Sequence, residues 1–203
     1  TLSLHDALPI LAYSSLFHDA YYGTWTNSTD ESEGSGNWKF DVLERKLTVT
    51  GTGKLNVAPW YEKPAINPVV YVDEEHPGFW GSIKTCAIGS GITELDGMIC
   101  GMQINCASVT LPNTLKRISG SALEECAFTT IDLPEGLEEI DMYAFFGSKL
   151  TALTIPSTVT YIGASAFLYN EDWAVVTMLP TTPPTLYADE LPFGECEKLT
   201  AIY

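Results

Sequence analysis

LTALTIPSTVTYIGASAF, from Leu150 to Phe167, decides the fold, because its pattern recurs upstream in phase. Ile88, Leu111, Leu133 and Ile155 are equivalent, spaced 23, 22 and 22 residues apart, and Leu95, Ile118, Ile140 and Ile162 repeat with the same spacings. Pro112, Pro134 and Pro156 follow the first series directly, with Gly89 in that place in the first copy. Ala122, Ala144 and Ala166 make a third series. Apolar residues returning at a fixed period in the low twenties are the mark of a repeat solenoid. One coil cannot enclose an apolar face by itself, so each coil lays its side chains on the next.

Working outward, each coil opens on a short stretch of strand: Thr85 to Ile88, Ser108 to Leu111, Thr130 to Leu133 and Ala152 to Ile155. Side chains alternate along a strand. Cys86, Val109, Ile131 and Leu153 therefore share the inner face with the Ile/Leu series. Thr85, Ala87, Ser108, Thr110, Thr130, Asp132, Ala152 and Thr154 face out, and stacking sets them in two ladders on an open β face. After the Pro turn comes a second apolar pair (Leu137 and Ile140, Val159 and Ile162), then a helical or irregular turn carrying Ala144-Phe145 or Ala166-Phe167. The fifth unit reads as irregular. Trp173 falls in an insertion, VVTMLPTTPPTL leaves the strand phase ambiguous, and Leu199 and Ile202 match Leu150 and Leu153. Truncation and a terminal cap both stay open for the stop at Tyr203.

Before the repeats, WKFDVLERKLTVTGTG alternates apolar and polar on either side of Glu44-Arg45-Lys46 and reads as a β-hairpin, its second strand ended by Gly51-Thr52-Gly53. Pro59, Pro64, Pro68 and Pro77 argue against helix between 56 and 80. Trp25, Trp38, Trp60 and Trp80 all precede the repeats, which suggests a small β N-terminal cap over the open end of the stack. Thr24 to Asn37 is rich in Gly, Ser and acids and reads as linker or mobile loop. Within it, Asn27-Ser28-Thr29 is a formal glycosylation acceptor. Residues 1–22 read as a tail, either a signal remnant or translated adapter sequence, and lie outside the fold argument. The expected organisation is thus a tail at 1–22, a cap at 23–82 and repeats at 83–203.

The chain has 203 residues, 45% of them apolar, enough for a sizeable core. A net charge of −16 argues against nucleic acid and anionic membrane surfaces as partners. No apolar run approaches the roughly 18 to 20 residues of a membrane-spanning helix.

These coils, with IDLPEGLEEIDMYAFFG and VTLPNTLKRISGSALEEC, resemble the BspA-type leucine-rich repeat of bacterial surface proteins. That coil runs as an L-x-x-I-x-I-P strand, a V-x-x-I-G pair, then A-F with a Cys three residues later. Residues 38–61 look like the β segment that often precedes such repeats, and TTPPTL and AIY are similar to the usual closing unit. The resemblance covers about 38 to 203 and departs in the first coil, where GMIC replaces the Ala-Phe turn, and in the fifth. It implies a β-rich solenoid of four to five coils and adhesion to host matrix proteins or other cells.

Candidate sites are few. Five cysteines lie in the repeats without a CxxC pair or a usual zinc spacing. Register explains them as packing: Cys86 stands in the column of Val109, Ile131 and Leu153, and Cys100 in that of Leu123, Phe145 and Phe167. Cys106 matches Phe128 and Leu150, and Cys126 and Cys196 occupy the resembling family's Cys position. Asp73-Glu74-Glu75-His76 is the densest ionisable cluster and could bind a cation, but charge runs usually face water. His5 and His18 lie in the tail, and Glu138, Glu139 and Asp141 read as solvation. No acid, base and nucleophile set converges, so no cofactor, metal or catalytic residue is expected. The strand-face ladder remains as the candidate binding surface, its partner a host or bacterial surface protein or glycan. A purely structural spacer or cap in a longer surface protein is the rival. A hydrolase or metal site in loops 56–80 ranks third.

Overall fold

The computed structural model describes residues 20–62 and 83–202, and it is β-rich with no α-helix among them. Strands β1 (Ala20–Thr26), β2 (Gly34–Asp41) and β3 (Lys46–Leu55) form an antiparallel unit. The expected hairpin is β2–β3. Its second strand does not stop at Gly51-Thr52-Gly53; it runs on to Leu55 through a register shift at Gly53/Lys54. Gly51 and Gly53, at φ 144° and 82°, supply the backbone freedom that shift requires.

Strand β3 matters because both edges of the repeat use it. Its first half pairs in parallel with β4 (Thr85–Ile88), Leu47 opposite Cys86, and its last residues pair with β5 (Ile92–Asp96), Leu55 opposite Leu95. From β4 the pairing passes to β6 (Ser108–Thr110). From β5 it passes through β7 (Arg117–Ser119), β8 (Glu139–Ile140) and β10 (Tyr161–Ile162) to β12 (Thr185–Leu186), parallel throughout. A separate parallel sheet joins β9 (Ala152–Ile155), β11 (Val175–Met178) and β13 (Ala201–Ile202).

The inner rows follow the sequence register. Val109, Ile131 and Leu153 are 9%, 8% and 5% exposed, and Leu47, Cys86 and Val176 extend the row at its ends. Leu95, Ile118, Ile140 and Ile162 are wholly buried. Leu111 and Leu133 are only partly buried, and their row closes on Ile155. The Pro series makes tight turns: the carbonyls of Pro112, Pro134 and Pro156 accept from the amides of Leu115, Leu137 and Val159. Phe145 stacks on Phe167 at 5.3 Å between ring centres, and Phe167 on Phe193 at 5.4 Å.

Several expectations need correction. Thr24 to Asn37 is no linker. Trp25 on β1 is buried and donates to the Thr50 carbonyl, and Gly36 and Gly51 leave the room its indole fills. Those glycines serve close approach, which composition alone cannot tell from flexibility. Strand β1 also claims Ala20 to Tyr22 from the tail. Trp173 sits in no insertion: with Ala174 bonded to Thr151, it takes the column of Cys106, Phe128 and Leu150 and is fully buried. Its indole N–H finds the Val175 carbonyl at 2.8 Å, so the fifth strand is Val175–Met178. Of the two forms left open for the closing turns, helical or irregular, the structure has the irregular one: Ser121, Tyr143 and Ser165 hold positive φ of 62°, 55° and 51°, where an α-helix cannot continue. Asn27 is also an unsuitable glycan acceptor. It is 3% exposed; its Oδ1 accepts from Thr29, Asp30 and Asn56, and its Nδ2 donates to the Lys54 carbonyl.

Candidate functional site: the strand face

Two outer rows were expected on the strand face, and the described strands place most of each. Register sets Lys46, Thr85 and Ser108 side by side, and Thr48, Ala87 and Thr110 beside them. Past the third repeat it sets Ala152 beside Val175, and Thr154 beside Thr177. Ser108, Thr110, Thr130, Asp132, Ala152 and Thr154 are exposed, while Thr85 and Ala87 are half-buried next to β3. Lys46, Thr48, Val175 and Thr177 belong to the same rows and were missed. The alternation of Val175 to Met178 was the signal, obscured by assigning Trp173 to an insertion.

The third repeat departs from expectation. Thr130 to Leu133 is not a strand, and the pairing divides there into the β4–β6 side and the β9–β11–β13 side. Ile131 stays buried while Asp132 and Glu135 remain exposed, so the inward phase survives without the ladder. Open depressions flank the segment. One, of about 420 Å³, lies against Ser108 to Leu111, and another, of about 310 Å³, against Ala152 to Thr154. A third, of about 550 Å³, runs between Asn113 and Glu135 past Leu133. Hydroxyls and the Asp132 and Glu135 carboxylates line these hollows together with aliphatic side chains such as Leu111, Leu133 and Val175. Chemically that favours an extended partner offering both hydrogen bonds and apolar contacts over enclosure of a small molecule.

The opposite row of short strands is charged but internally matched. Lys54 Nζ meets Asp96 at 2.8 Å, and that hydrogen bond holds the ammonium above its ordinary pKa. Arg117 lies 3.1 Å from Glu139 and also pairs with Asp141, and Lys116 meets Glu138 at 2.8 Å. Glu138, Glu139 and Asp141 are therefore partnered and not merely solvated. Paired surface charges of this kind contribute little individually.

The cysteines take several roles. Cys126 Sγ donates to the Cys100 carbonyl at 3.2 Å, Ser148 Oγ to Leu123 at 2.8 Å, Asn170 Nδ2 to Phe145 at 2.8 Å and Cys196 Sγ to Phe167 at 3.3 Å. One column thus supplies a donor to the preceding repeat's turn, buried at Cys126, Ser148 and Asn170 and partly buried at Cys196. Sequence reading took Cys126 and Cys196 as packing and passed over Ser148 and Asn170. The shared 22-residue spacing from Cys126 to Asn170 could have found them. Among the described residues no group of three or more His, Cys, Asp or Glu could hold a metal ion. Asp73 to His76, His5, His18 and Trp80 lie outside the described residues. No helix of the described residues is long and apolar enough to cross a membrane.

Residues 97–203 match the BspA type leucine rich repeat region, in six copies. Among solved structures, the chain is similar to a leucine-rich repeat protein from Eubacterium ventriosum, with a TM-score of 0.65 and 19% identity over 90% of this chain and 44% of that one. It is also similar to one from Bacteroides ovatus, with a TM-score of 0.55 and 20% identity over 92% of this chain and 46% of that one. At these identities the likeness speaks to fold, and the chain spans less than half of either protein. No curated protein sequence matches the chain.

Proposed function

The chain belongs to the BspA-type leucine-rich repeat family, and from that membership we propose that it is a non-catalytic binding module of a secreted or cell-surface bacterial protein. In this reading the repeats from 83 onward stack as a solenoid, and the β unit within 23–82 caps its first coil. Trp60 supports the cap: fully buried, it donates to the Ile99 carbonyl in the first repeat's turn. The binding surface is the strand face: Thr85, Ala87, Ser108, Thr110, Thr130, Asp132, Ala152 and Thr154, extended by Thr48 and Thr177. The carrying observation is the interruption at Thr130 to Leu133, which leaves open hollows on both sides of an exposed Asp132. A surface protein or glycan supplies the matching donors and acceptors.

The test is capture on immobilised collagen, laminin and fibronectin and on a glycan array. Thr110→Arg, Asp132→Lys and Thr154→Arg together should abolish any capture the wild type shows and leave its melting curve in place. Capture unchanged by the triple variant removes the strand face from the reading. A structural spacer is the second reading, favoured by outer rows of Thr, Ser and Ala that suit a β surface in their own right. It predicts no capture on any of these probes.

A further inference from the structure

Cys86 and Cys100 differ from the other cysteines in how closely their sulfurs approach each other. Cys106, Cys126 and Cys196 donate to backbone carbonyls at 3.6, 3.2 and 3.3 Å, and Cys106 and Cys126 also share a side-chain hydrogen bond. The sulfurs of Cys86 and Cys100 meet each other at 2.6 Å. Two unbonded sulfurs do not normally approach so closely, and the separation is within about half an ångström of a covalent S–S bond. Register supports the pairing independently of that distance. In each repeat one residue on the strand and one in the closing turn stand in these two inner columns: Val109 with Leu123, Ile131 with Phe145, Leu153 with Phe167. Only the first repeat, among the four, fills both columns with Cys. The interior that elsewhere holds two large apolar side chains is there spanned by two sulfurs.

We propose that Cys86 and Cys100 are joined as an intra-repeat disulfide when the chain folds in the presence of a disulfide oxidant. The step is thiol–disulfide exchange with a small-molecule disulfide RSSR. The Cys86 and Cys100 thiols lose two protons and two electrons, one S–S bond forms, and RSSR is reduced to two RSH. The bond closes a loop of about 15 residues and ties β4 to the turn after β5. Both ends lie beside the N-terminal unit, since Cys86 pairs with Leu47 and Trp60 is bonded to Ile99. The bond would hold the first repeat in the shape on which that unit rests. Timing follows from burial. Both side chains are enclosed in the folded chain, and desolvation pushes the Cys100 thiol well above its ordinary pKa, so exchange belongs to folding and the finished bond is shielded. The proposal does not depend on the strand face binding anything.

The experiment uses the whole chain, reduced and unfolded in guanidinium, then refolded in a mixture of reduced and oxidised glutathione. Free thiols are alkylated in denaturant, and the product is digested with trypsin and a Glu-specific protease. Cleavage at Lys84, Glu94 and Lys116 separates Cys86 from Cys100, and fragmentation between residues 100 and 106 says which sulfur of the second peptide is used. The expected product is a Cys86–Cys100 crosslink, with a melting temperature on the order of 10 °C above the dithiothreitol-reduced chain, the size a loop of this length implies. Cys86→Ala should erase that redox dependence and Cys106→Ala should keep it. Should either variant fail to fold, the wild-type peptide map stands without it. Overturning results are five alkylated cysteines, Cys100 joined to a cysteine other than Cys86, or thiols that stay free while added zinc raises the melting temperature.

Discussion

Asn170 offers the sharpest test of how the repeats are held together. It is fully buried, and its Nδ2 donates to Phe145 and to Phe167, each at 2.8 Å. Asn170→Leu removes both donors at similar volume and leaves each carbonyl only a longer contact, Phe145 with the Ser148 amide and Phe167 with Cys196 Sγ, both at 3.3 Å, each loss costing about 1 kcal/mol. Against that, the native Oδ1 has no hydrogen-bond partner, so deleting it returns a cost of the same size for one group. The net is about 1 kcal/mol of destabilisation. Asn170→Asp keeps the shape but sets a carboxylate against two carbonyl oxygens. A buried uncompensated charge costs about 3 to 5 kcal/mol, or raises the group's pKa until it is neutral. The sign is therefore specific. The folded variant has its pKa above the unfolded value of about 3.9 and binds the extra proton. Its deficit is absent below that pH, grows as pH rises and levels off past the folded pKa. Equilibrium guanidinium unfolding, followed by the fluorescence of nearby Trp173, measures both variants. Subtracting Asn170→Leu at each pH removes the titration of the rest of the chain. Wild-type stability in Asn170→Leu, or a pH-independent deficit in Asn170→Asp, would refute the donor column.

Other outcomes follow from the same geometry. Ile155→Ala should cost about 2 to 5 kcal/mol by denaturant unfolding, because a wholly buried side chain leaves a cavity between repeats. Leu133→Ala should cost only about 1 to 2 kcal/mol, since that side chain is already partly in water. Gly36→Val should lower the melting temperature sharply and shift tryptophan emission, as the new side chain would strike Thr50, Gly51 and the Trp25 ring. Ser148→Ala should cost about 1 to 3 kcal/mol, the carbonyl of Leu123 losing its buried donor. Thr151→Ala, whose weaker hydroxyl contact at 3.3 Å is exposed, should change stability by less than about 0.5 kcal/mol in the same assay.

By itself the sequence determined which residues face inward. A period near 22 allows only certain positions to meet, and burial of Val109, Ile131, Leu153 and the Leu95 to Ile162 series needs no distant information. Hairpin alternation in β2 and β3 was legible for the same reason: it is a local pattern of period two. What the tertiary structure decided are matters of partnership between distant segments. Glycines between Gly34 and Gly53 look like flexibility until Trp25 is seen filling the space they leave. Trp173 looks inserted until the Thr151 carbonyl fixes its repeat. Thr130 to Leu133 has the composition of its neighbours, yet the ladder breaks there, and nothing within those four residues announces it. Cys86 and Cys100 each fit a packing column, and only the folded chain brings their sulfurs face to face. Side-chain pattern fixes orientation, whereas backbone pairing and contact depend on what the rest of the chain lays alongside.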